Sequence, residues 1–169
     1  MLNDENLNKL VIGAAQFGSN YGITNKIQIS NADINAIINL AKKNKIKHID
    51  TSPDYPGSQK VLSSCDIKDF HIITKLPILK NKKLINFQNL LSLCKNTIKD
   101  LKIKKIDTLL LRTPTKILDS NKHWDHLIEL KEKKLISKLG YTIYSPDELK
   151  RVYEKYKPDV IQLPYSIFD

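Results

Sequence analysis

Apolar residues fall along the chain in two rhythms. Short unbroken runs alternate with longer stretches in which apolar positions recur every three or four residues. The runs are Leu10-Val11-Ile12-Gly13-Ala14-Ala15-Gln16-Phe17-Gly18, Lys47-His48-Ile49-Asp50, His71-Ile72-Ile73-Thr74-Lys75-Leu76, Ile106-Asp107-Thr108-Leu109-Leu110-Leu111-Arg112, Lys138-Leu139-Gly140-Tyr141-Thr142-Ile143 and Val160-Ile161-Gln162-Leu163. Each predicts a strand of a buried parallel sheet. The first, broken by small residues, opens into a glycine-punctuated loop through Tyr21-Gly22-Ile23-Thr24-Asn25. Between the runs, Ile34, Ile37, Ile38 and Ala41 recur at helical spacing, and Ser30 with Asp33 approximates a capping box, so a helix is expected from about Asn31 to Asn44. Leu90, Leu91, Cys94, Ile98 and Leu101 form a second stripe, and Trp124, Leu127, Ile128 and Leu135 a third. In the third, Trp124 is expected to anchor the core. Ser145-Pro146-Asp147-Glu148 starts a further helix with Ser as cap and Pro at the first position, and Leu149, Val152, Tyr153 and Tyr156 are its expected apolar face before Pro158 stops it. A turn at Pro56-Gly57-Ser58 and a short segment with Val61 and Leu62 fill the gap after the second run.

Six strands alternating with helices describe a parallel α/β protein, either a doubly wound sheet or a (β/α)8 barrel of TIM type. Periodicity does not separate the two. The GxGxxG phosphate fingerprint is missing after the first strand, because Gly13 and Gly18 have the wrong spacing, and this favours the barrel. A complete barrel needs about 250 residues, and this chain has 169. The expectation is one domain over residues 1–169, an incomplete barrel with about six of eight βα units, in which the last two are missing.

Composition narrows the class. With 41% hydrophobic and 27% charged residues the chain reads as globular. No apolar run approaches the ~20 residues of a membrane helix, and Met1-Leu2-Asn3-Asp4-Glu5 has neither the charge nor the apolar stretch of a signal peptide. A cytoplasmic protein with no membrane association is expected. The net charge of +10 raises nucleic acid as a partner. Its lysines are spread in short runs such as Lys80-Asn81-Lys82-Lys83 and Lys102-Ile103-Lys104-Lys105 without interleaved aromatics, so a solvated lysine surface and no nucleic-acid partner is the reading. Cys65 and Cys94 have neither CxxC nor zinc-like spacing and are expected as reduced thiols. His48, His71, His123 and His126 show no ligand spacing, and no metal is assigned.

The chemistry gathers at strand ends. The second run stops at Asp50 and passes through Thr51-Ser52-Pro53-Asp54 to Tyr55, and the third and fourth end in Lys75 and Arg112. In parallel α/β proteins the carboxyl ends of strands carry the site, so an acid, a phenol and two cations are expected to converge there.

Taken in order, Gly13-Ala14-Ala15-Gln16-Phe17-Gly18 with Tyr21-Gly22-Ile23, Ile49-Asp50-Thr51-Ser52 with Tyr55, Thr74-Lys75, Leu109-Leu110-Leu111, Lys138-Leu139-Gly140 and Ile161-Gln162-Leu163-Pro164-Tyr165 resemble the landmarks of the aldo/keto reductases over essentially the whole chain. The resemblance implies a (β/α)8 barrel that uses NADPH or NADH to reduce a small-molecule carbonyl to an alcohol. Of the family's Asp, Tyr, Lys and His tetrad, it places the Asp on Asp50, the Tyr, as general acid, on Tyr55 and the Lys on Lys75. Where the family usually reads Leu-Leu-Leu-His, this chain reads Leu109-Leu110-Leu111-Arg112. Arginine can orient a carbonyl or stabilise an oxyanion, but as a permanent donor it cannot relay a proton. For the cofactor, the resemblance points to Gly13, to Gln162 and to Thr142, which replaces the usual serine. A competing expectation is a non-catalytic reductase-like fragment or binding module that has lost turnover through Arg112 and the missing cofactor-phosphate loops. Exposed sheet edges would favour self-association.

Overall fold

Each apolar run becomes a strand that stops close to where the run meets a polar residue or glycine: β1 (Val11–Gly13), β2 (His48–Asp50), β3 (His71–Lys75), β4 (Ile106–Leu111), β5 (Ile136–Thr142) and β6 (Val160–Gln162). The computed structural model describes residues 9–20, 27–77, 86–118 and 121–166. The Tyr21–Asn25 loop, the N-terminal Met1–Glu5 and the Lys80–Lys83 run lie outside them. The strands form one sheet in the order β1-β2-β3-β4-β5-β6, and every neighbouring pair is parallel. That order decides the architecture. A doubly wound sheet reverses its strand order part-way across, whereas here each strand lies beside the one before it, as in a barrel. Among the described residues the six strands form a sector of a (β/α)8 barrel.

The connecting helices are α1 (Asn31–Lys43), α2 (Ser58–Leu62), α3 (Phe87–Leu101), α4 (Pro114–Ile117), α5 (Asn121–Glu132) and α6 (Pro146–Tyr153). Their starts are chemically defined. Ser30 caps α1 by accepting from the Asp33 backbone N–H at 3.1 Å while its hydroxyl donates to the Asp33 carboxylate at 2.7 Å, and Ser145 accepts from the Glu148 N–H at 3.2 Å with Pro146 in the first turn. Asn86 caps α3 through the Asn89 N–H at 2.9 Å. α1 ends one residue before the expected Asn44, which serves as its C-cap. The four-residue α4 has no periodic signal and was not foreseen.

Ile34, Ile38 and Ala41 of α1 pack with Ile49 and Ile72, and Leu90 and Cys94 of α3 pack with Leu127 of α5 and Leu109, Leu111 and Leu139 of the sheet. Burial of this kind, at about 25 cal/mol per Å² of apolar surface, holds the helices on the sheet. It also pushes the Cys94 thiol up to about 12, while Cys65 is half-buried, and both are free cysteines. Some expected core positions fall elsewhere. Leu10 and Val11 are exposed at β1, an edge of the sheet among the described residues. Ile37 and Tyr153 sit on the outer flanks of their helices and are also exposed. Leu135 and Tyr156 lie past the helix ends, where Tyr156 is buried and accepts through its carbonyl from the Tyr141 hydroxyl at 3.1 Å. Trp124 is half-buried against Tyr156, with ring centroids 5.6 Å apart.

Candidate active site

The strands end in step, and their last residues are the candidate residues: Gly13 on β1, Asp50 on β2, Lys75 on β3, Thr142 on β5 and Gln162 on β6, with Arg112 one residue past β4. The parallel register carries this alignment sideways, pairing Gly13 with Asp50 and Thr142 with Gln162. A parallel strand leaves its terminal side chains at a common rim, which is why residues scattered over the sequence meet.

Asp50 is the hub. One of its carboxylate oxygens accepts from the Lys75 ammonium, and the other from the Gln162 side-chain amide at 3.3 Å. Gln162 in turn accepts from the Thr142 hydroxyl at 3.2 Å. Lys75, only 5% exposed, also donates to the Thr51 carbonyl at 3.3 Å. Burial holds the Lys75 pKa below the ordinary lysine value; the Asp50 carboxylate opposes that shift and the Arg112 charge adds to it.

Tyr55 arrives on a tight turn. Its N–H donates to the Ser52 carbonyl at 3.1 Å, and its own carbonyl accepts from the Ser58 N–H at 3.2 Å. The turn is pinned to the exit of β1, where the Ser58 hydroxyl donates to the Ala14 carbonyl at 2.7 Å and lies 3.1 Å from the Thr51 hydroxyl. Gly57 has a φ of +72°, and a Cβ on Gly18 would stand 2.2 Å from the Gly57 carbonyl carbon, so both glycines are required by this close passage. The Tyr55 ring then lies close to two cations, with the Lys75 Nζ 5.5 Å and the Arg112 Cζ 5.3 Å from its centroid.

Arg112 is steered by residues that the sequence did not single out. Its Nη2 donates to the Ser52 hydroxyl at 3.2 Å, and its Nη1 stands 3.5 Å from the Asp54 carboxylate. Its Nε is shielded from solvent and has no hydrogen-bond partner. Ser52 is fully buried, and its hydroxyl also accepts from the Asp54 N–H at 3.2 Å. The turn composition Ser52-Pro53-Asp54 signals local backbone hydrogen bonding, but a partner sixty positions away, just past another strand, leaves no mark in that composition.

The sequence matches the profile of the Aldo/keto reductase family over residues 9–169. The chain belongs to the aldo/keto reductase family. No curated protein matches it. Among solved structures it is similar to an assigned aldo-keto reductase of Pseudomonas aeruginosa, at 19% identity and a TM-score of 0.76 over 94% of this chain and 64% of that one. It is likewise similar to the holo form of an aldo-keto reductase of Bacillus halodurans, at 16% identity and a TM-score of 0.74 over 94% of this chain and 54% of that one. A glycerol dehydrogenase of Gluconobacter oxydans gives 20% identity and a TM-score of 0.69 over 94% of this chain and 52% of that one. The chain thus spans less than two thirds of these relatives' length. At these identities the likeness concerns the fold.

The other end of the sheet has a separate cluster. His48 and His71 lie with ring centroids 5.1 Å apart, and His71 Nδ1 stands 3.4 Å from the Asp107 carboxylate. Among the described residues no group of three or more His, Cys, Asp or Glu is placed to hold a metal ion, and no helix is long and apolar enough to cross a membrane.

Proposed function

We propose that the protein is an NADPH- or NADH-dependent oxidoreductase that reduces a small-molecule aldehyde or ketone to an alcohol, with residues 1–169 as a single domain and Tyr55 as the general acid. The observation that supports this most directly is the closeness of Tyr55 to both the Lys75 ammonium and the Arg112 guanidinium. A phenol with an unperturbed pKa near 10 is a poor acid at neutral pH, and neighbouring positive charge favours its ionised form, which brings proton release towards the working range. Asp50 keeps Lys75 charged and in place despite its burial. Arg112, where the family's histidine is expected, supplies hydrogen bonds to the carbonyl oxygen as negative charge develops there.

The residues present suit the nicotinamide end of the cofactor. Gln162 and Thr142 offer amide and hydroxyl groups complementary to a carboxamide, and beside Gly13 the space a Cβ would enter is open, with nothing within 4 Å. When bound, the reduced cofactor supplies hydride to the carbonyl carbon. A cytoplasmic setting suits a cofactor of this kind. Loss of reduced-cofactor absorbance with an aldehyde panel tests the reading. Tyr55→Phe should lower turnover by at least 100-fold, the scale of one general acid. Reduction by that variant at the parent's rate would remove Tyr55 from the mechanism.

A further inference from the structure

Lys75 and Arg112 lie at similar distances from the Tyr55 ring, but their charges are not equally satisfied. Lys75 is closed in by Asp50 and the Thr51 carbonyl. Arg112 is not. Its Nη2 bonds the neutral Ser52 hydroxyl, and its distance of 3.5 Å from Asp54 exceeds the ~2.7–2.9 Å of a charge-assisted hydrogen bond. Its Nε has no partner although it is shielded from solvent. A guanidinium offers five N–H donors in one plane, and the contacts to Ser52 and Asp54 leave further N–H groups of the two terminal nitrogens uncommitted. Asp54 is 27% exposed, and water screens the charge it offers.

We infer that Arg112 binds a carboxylate of the substrate, and that the site takes 2-oxo acids in preference to neutral aldehydes and ketones. The inference rests on the reading of Tyr55 as the acid. Three features carry it. A carboxylate presents two oxygens that match two parallel N–H groups of a guanidinium, a fit that an ammonium cannot reproduce. The Arg112 Cζ is 5.3 Å from the Tyr55 ring centroid, so the guanidinium and the acid face one small ligand, and a short spacer between carboxylate and carbonyl suits both. Ser52 and Asp54 act as positioning residues that aim the guanidinium while leaving donors free for the ligand. The step balances without a further reactant. Hydride from the reduced nicotinamide cofactor forms a C–H bond at the 2-carbon, the carbonyl π bond opens, and the Tyr55 hydroxyl proton goes to its oxygen. The products are a 2-hydroxy acid and oxidised cofactor, and solvent reprotonates the phenolate.

Two measurements test this. In calorimetric titrations, oxamate, a non-reducible isostere of pyruvate, should bind at least tenfold more tightly than neutral propionamide. Arg112→Met should abolish that difference, and Arg112→Lys should keep only part of it, because the charge remains and the paired geometry is lost. In the cofactor-absorbance assay, kcat/KM should favour pyruvate over methyl pyruvate by at least tenfold, with the ratio falling towards one in Arg112→Met. Circular dichroism melts confirm that each variant folds; if Arg112→Met does not, the parent's ligand preference and Arg112→Lys still decide. Oxamate binding that is indifferent to both substitutions, or a parent that prefers the methyl ester, overturns the inference and leaves Tyr55 untouched. Tyr55→Phe separates the two readings: it should lose reduction yet keep oxamate binding. If it reduces substrate at the parent's rate, the acid assignment fails while the oxamate titrations still report on Arg112.

Discussion

Lys75 shows how one side chain ties burial to chemistry. Its folded pKa lies below the ordinary lysine value because burial disfavours the charged form. As pH rises through that lowered value the ammonium is lost, Tyr55 loses a neighbouring positive charge, and kcat/KM should fall on an alkaline limb centred below 10.5. Since the Arg112 charge contributes to the shift, Arg112→Met should move that limb upward, which a pH–rate profile of the two proteins reads directly. The same shift has a thermodynamic sign. Between the lowered value and 10.5 the unfolded chain holds a proton that the folded one has released, so Lys75's contribution to folding becomes more favourable as pH rises through that window. That Asp50, Tyr55, Lys75 and Arg112 would meet was legible in the sequence because each stands at or just beyond the end of an apolar run. Ser52 and Asp54 were not, because what distinguishes them is contact with Arg112 across strands, and contact of that range has no period in the chain.

At the scale of elements, the legible features were the ones with a repeat or a cap. α1, α3 and α6 follow their stripes and their Ser or Asn starts. β1 shows where such reading stops: an apolar run predicts a strand, but whether it lies inside a sheet or at its edge depends on how many neighbours it acquires. Gly140 is a positional requirement of the same kind. A Cβ there would stand 2.0 Å from the Val160 carbonyl oxygen, within the β5–β6 pairing that sets Gln162 beside Thr142 and Asp50. Gly140→Ala should therefore force β6 away from β5 at a cost of roughly 1–3 kcal/mol, seen as a lower denaturation midpoint. It should also weaken cofactor binding more than a loss of stability alone predicts, because Gln162 moves with its strand. Gly140→Ala with parent-like stability and affinity would show that this close approach is relaxed at little cost.

For the whole molecule, the open sector leaves β1 and β6 each with a single partner strand among the described residues, and Leu10, Val11, Leu163 and Tyr165 exposed near those edges. Unpaired edges of this kind template association. Light scattering should show a mass that rises with concentration, and Val11→Lys, which places a charge on the β1 edge, should suppress the rise; a constant mass in the parent would mean that the edges are covered by other means. The bond between Asp50 and Gln162 spans 112 positions of sequence, and this fixes an order of events during synthesis on the ribosome. Asp50 and Lys75 are only 25 positions apart and can find each other while most of the chain is still unmade. The amide of Gln162 emerges well after both, and contacts of such long range are slow to form. Until β6 docks, the paired lysine and aspartate have no amide across from them, so the affinity for nicotinamide that we propose should appear only with that docking and serve as an indicator of it.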